Sequence, residues 1–87
     1  MTQERWETFS KRDQIGNIGA DFLRLNAAPE TPEVVAAMAE GTLVLIDQTL
    51  EDPKWRESSL PLLILRDAVA RAYVGKKVDF AALYAAF

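Results

Sequence analysis

The stretch 31–50, TPEVVAAMAEGTLVLIDQTL, decides the fold. At about 100° per residue, the acids Glu33, Glu40, Asp47 and, just beyond the stretch, Glu51 fall along one narrow edge. Most of the remaining circumference is apolar or small, including Val34, Met38, Gly41, Leu43, Leu45 and Ile46. A surface helix buries one stripe and solvates the rest, so this pattern predicts a helix packed on several sides. Thr31 is placed as N-cap, Pro32 at the first helical position and Glu33 in the first turn. Asp52-Pro53 ends the segment, because proline has no N–H to continue the ladder.

Working outward, residues 11 to about 26 predict an amphipathic helix. Ser10 is its cap, with Asp13 three residues on as a weaker capping box. Ile15, Ile18, Phe22 and Leu25 share one face, widened by Gly19 and Leu23, while Asp13, Asn17, Asp21 and Arg24 occupy the other. Trp6 and Phe9 do not continue that stripe, so residues 2–9 are expected to form a separate arm or short helix. Downstream, PKWRE suggests a single helical turn before Ser58-Ser59. A further helix starts at Leu60 or Pro61 and ends near Val74, with Gly75 as its C′ residue. Its inward face is Leu62, Leu65, Ala68, Val69, Ala72 and Tyr73; Asp67 and Arg71, an i,i+4 pair in the favourable order, mark the solvent side. Asp79 caps a last short helix anchored by Phe80, Leu83, Tyr84 and Phe87. No run alternates at period two for long enough to make a strand, and LVLI and LLIL sit inside longer periods of 3.6. Helices joined by short loops imply antiparallel neighbours. The expected fold is all-α: one domain over residues 1–87, a small up-and-down bundle of about four helices, the last short, with 1–9 as an arm.

Composition narrows the function classes. Eighty-seven residues, 49% of them apolar, support one small core. Cysteine and histidine are both absent. This removes disulfides, thiolate zinc sites, the commonest general base and the commonest transition-metal ligand together. Thirteen acids against ten bases give a net charge of −3, the wrong sign for a general nucleic-acid binder. Arg66, Arg71, Lys76 and Lys77 do form a loose basic end beside Phe80 and Tyr84, but cations near a helix C-terminus are equally expected from its dipole. The opening MTQERWETF has no apolar segment of a signal peptide, and no uncharged run approaches the ~20 residues of a bilayer span. The expectation is a cytoplasmic protein with neither membrane nor nucleic-acid partner.

Chemistry has few carriers. Along the acidic edge, Glu33, Glu40 and Asp47 are seven residues apart, about 10 Å of helix, too far to share an ion. Only Asp47 and Glu51 could chelate together, and they are weak metal candidates. Glu4-x-x-Glu7 and Glu30-x-x-Glu33 have carboxylate-pair spacing, yet the second contains Pro32 and straddles a helix start. Asp47 is expected to be exposed; were it buried instead, it would need Arg66 or Arg71 as its cation, fixing helix register. Gly19 and Gly41 suggest a close crossing of the first two long helices. Trp6 and Trp55 are expected to fold as lids over the ends of the bundle.

These readings favour a non-enzymatic interaction protein acting as a homodimer, with no cofactor. Leu63, Ile64 and Val74 of the later helix, and Leu43 and Ile46 of the central one, are the expected interface. The alternatives are a metal-dependent hydrolase-like bundle using carboxylates alone, and a regulatory or antitoxin-like subunit that docks on an unidentified protein partner.

Overall fold

The computed structural model describes residues 2–27 and 31–85, and among these every regular element is a helix and none is a strand. Five α-helices follow in order: α1 (Gln3–Glu7), α2 (Lys11–Ala27), α3 (Pro32–Leu50), α4 (Leu60–Tyr73) and α5 (Phe80–Ala85), with a 3-10 turn at Pro53–Trp55. The all-α bundle expected from the sequence is the fold observed. α3 lies centrally, with α4 along one flank, α2 along another, and α1 and the 3-10 turn against it; α5 packs on α2. The helix that looked built for several neighbours has them.

Local chemistry sets most boundaries. Ser10 Oγ accepts from Asp13 N–H at 3.1 Å and so caps α2. Asp79 does the same for Ala82 N–H at 3.0 Å. Thr31 occupies the N-cap position of α3 but makes no side-chain capping bond. At the end of α4, Gly75 has φ +89°, Gly75 N–H donates to Ala72 O, and Lys76 N–H donates to Arg71 O. This pair of bonds is the Schellman closure that a left-handed glycine permits. α1, capped by Thr2, is separate from α2, as the break in the aromatic stripe implied.

The core is one cluster in which Ile18, Phe22, Ala39, Ile46, Leu62, Leu65 and Val69 are fully enclosed. Phe22 of α2 meets Phe80 and Tyr84 of α5, with ring centroids 5.2 and 6.4 Å away. Trp6 and Trp55 are both buried, as expected of lids.

Several expectations need correction. Gly19 and Gly41 do not meet: Gly19 lies under the Tyr84 ring, which a Cβ there would overlap, while Gly41 has open space above it. Leu23 and Tyr73, assigned inward, are exposed because they sit at the margins of their stripes, beyond the reach of a neighbouring helix. Ile46, expected at an interface, is fully buried within the single chain, on the arc of α3 that also carries Ala39 and Thr42. Leu43 is half-buried against the same core. Phe87 and Glu30, and with Glu30 the Glu30-x-x-Glu33 pair, lie outside the described residues.

Candidate functional site

Two features of the fold are candidates for a site: a buried polar cluster at one end and an apolar face on the outside of α4.

The polar cluster arises because α2 carries Gln14 on its apolar stripe. Fully buried, its amide nitrogen donates to Trp6 O at 3.1 Å and to Asp52 Oδ2 at 2.9 Å. Its amide oxygen accepts from Trp55 Nε1 at 2.6 Å. Asp52, the residue before the breaking proline, caps the 3-10 turn by accepting from Lys54 N–H at 3.0 Å and pairs with the Lys54 ammonium. That ammonium also donates to Glu7 O at 2.9 Å, pinning the end of α1. Trp6 Nε1 donates to Thr49 Oγ1 at 3.0 Å, and Thr49 donates back to Leu45 O. Lys11 stands over the Trp55 ring and donates to Ser58 Oγ at 2.9 Å. Burial alone would raise the Asp52 carboxyl, but hydrogen bonds from the Lys54 and Gln14 side chains, the Lys54 N–H and the Lys54 charge hold it below its ordinary value. The cluster ties α1, α2, the end of α3 and the 3-10 turn together. Its donors and acceptors are engaged with one another, so it positions structure and presents no free acid, base or nucleophile to a substrate.

The acidic edge of α3 faces outward along its length. Asp47 is half-exposed and held by Arg66 of α4, with Arg66 Nε donating at 2.7 Å. The pair joins adjacent helices, and the carboxylate raises the Arg66 guanidinium further above its ordinary value by hydrogen bonding and by charge. Arg66 is thus the cation for Asp47, as the sequence allowed, although the acid is not buried. Arg71 pairs with Asp67 within α4 instead. Among the described residues no three His, Cys, Asp or Glu side chains cluster as a metal site would require. No helix of the described residues is long and apolar enough to cross a membrane. A shallow cleft lined by Phe9, Arg12, Asp13, Gly16, Asn17 and Ala20 is open to solvent and has no convergent set of reactive groups.

On the outside of α4, Leu60 is 66% exposed, Leu63 48%, Ile64 47% and Val74 68%. Asp67 and Arg71 lie between them as an ion pair, with an Arg71 guanidinium nitrogen 2.7 Å from an Asp67 carboxylate oxygen. Val34 and Val44 are the exposed large apolar residues of α3. Of the five residues expected at an interface, the structure brings Leu63, Ile64 and Val74 onto one exposed helix face and withdraws Ile46 into the core. Leu60, expected only as a helix start, joins that face. Comparison with protein-family models, with curated proteins and with solved structures finds no match to this chain.

Proposed function

We propose that this chain is a non-enzymatic helical interaction protein that acts as a homodimer through the outer face of α4. The observation that supports this reading is the concentration of Leu60, Leu63, Ile64 and Val74 on one exposed helix face. Isolated exposed apolar residues are ordinary, but a group aligned on one face marks an interaction surface. Apolar area removed from water is worth about 25 cal/mol per Å², so covering these side chains matters to a small single-core domain. A second copy is the economical occupant, because an isologous contact needs only one suitable patch. The cysteine-free composition further supports assignment to a reducing compartment such as the cytoplasm.

Light scattering coupled to size exclusion tests the reading. A dimer is expected at micromolar concentration, and Ile64→Glu is expected to give a monomer with the helical circular dichroism retained. A wild-type chain that stays strictly monomeric would remove the proposal.

A further inference from the structure

The outer face of α4 has an internal order that the dimer reading does not require. Leu60, Ile64, Asp67, Arg71 and Val74 are spaced four, three, four and three, which is the seam of a heptad repeat. Leu60, Ile64, Asp67 and Arg71 project from the exposed side of α4, and the exposed C-cap residue Val74 continues their line just past the last turn. At its centre the seam carries one acid and one base, and its apolar members lie on either side.

From this pattern, and resting on the homodimer reading above, we infer the register. Two copies of α4 pair antiparallel about a two-fold axis between Asp67 and Arg71, each Asp67 facing the partner copy's Arg71 and each Ile64 facing its Val74. In an antiparallel pair the two seam positions of the heptad alternate across the interface, so this single register satisfies all four residues. Parallel pairing sets like positions together: Asp67 would meet Asp67 and Arg71 would meet Arg71, and like charges facing one another oppose association. The charges select orientation and register, and the apolar side chains supply the attraction. The Asp67–Arg71 bond within one helix is then redistributed to bonds between helices, so neither charge enters the interface without a partner.

Charge reversal separates register from dimerisation. Asp67→Arg alone makes both central positions basic, and Arg71→Asp alone makes both acidic. Each variant is expected to raise the dimer dissociation constant at least about tenfold, because the two-fold axis repeats the repulsion. Mixing the two variants in equal amounts is expected to restore a heterodimer of near wild-type affinity, read by sedimentation velocity with one variant fluorescently labelled. The double variant Asp67→Arg/Arg71→Asp is expected to self-associate as wild type does, and circular dichroism checks that every variant keeps its helices. A wild-type dimer indifferent to either reversal, or a mixture no tighter than its components, overturns the register and leaves the homodimer reading standing. A monomeric wild type overturns both.

Discussion

Gln14 is the side chain on which the closed end of the bundle turns. Its amide is simultaneously donor to Asp52 and to the Trp6 carbonyl and acceptor from Trp55, all out of solvent. Gln14→Leu keeps the approximate volume but strands the Trp55 indole N–H and removes a donor from a buried carboxylate. Leaving buried polar groups unpaired costs more than an average hydrogen bond contributes. A loss of about 3 kcal/mol is expected, seen in urea denaturation as a lower midpoint at unchanged slope. Asp52 supplies the pH dependence. Its folded pKa lies below the ordinary value of a carboxyl, so the stability it contributes is fully present above the unfolded pKa of about 3.9 and is lost as pH falls through the folded value. Asp52→Asn should therefore be clearly less stable than wild type at pH 7 and converge on it in acid. A gap that stays constant from pH 7 down to pH 2 would show that the carboxylate charge contributes nothing.

Glycines separate what a helix needs from what its neighbours need. Gly41 is inside α3 with open space above it, so Gly41→Ala removes backbone freedom from the unfolded chain without a clash and should stabilise by about 1 kcal/mol. Gly19→Ala places a methyl into the Tyr84 ring and should destabilise by about 1–3 kcal/mol, with α5 the first element to lose hydrogen-exchange protection. If the two substitutions behaved alike, the close approach of α5 to α2 would be wrong. Helix periods, caps and the C′ glycine were legible because they depend on residues near one another in the chain. The α2–α5 contact was not, since nothing in Gly19 itself says which element crosses it. The polar cluster stood between these cases. Gln14 falls on the same face as Ile18 and Phe22, and a polar residue on an apolar stripe was a readable signal of a buried partner. Its partners, Asp52 and Trp55, required the tertiary fold. The α4 face was largely legible from Leu63, Ile64 and Val74, whereas the burial of Ile46 followed from which arc of α3 its neighbours chose to cover.

Nearly half the residues of the chain are apolar, yet a fold measuring 35 × 26 × 17 Å is thin and has limited interior in which to enclose them. α3 occupies the centre by lying against four other elements, and α4 buries one face, Leu62, Leu65, Ala68, Val69 and Ala72, and leaves the opposite one exposed. If a second copy covers the other, folding and association are linked, because a partner that binds only the folded chain stabilises it by mass action. Melting temperature should then depend on concentration. For a chain that is dimeric when folded and monomeric when unfolded, each tenfold rise in concentration adds about 1.4 kcal/mol per dimer. Shared between two protomers of this size, that is about 4 °C per decade. Scanning calorimetry from a few micromolar to several hundred should show this slope for wild type. Ile64→Glu should abolish it, leaving a lower transition that does not move with concentration. A flat wild-type series would mean that α4 is stable with its apolar face in water, and that association contributes nothing to holding the bundle together.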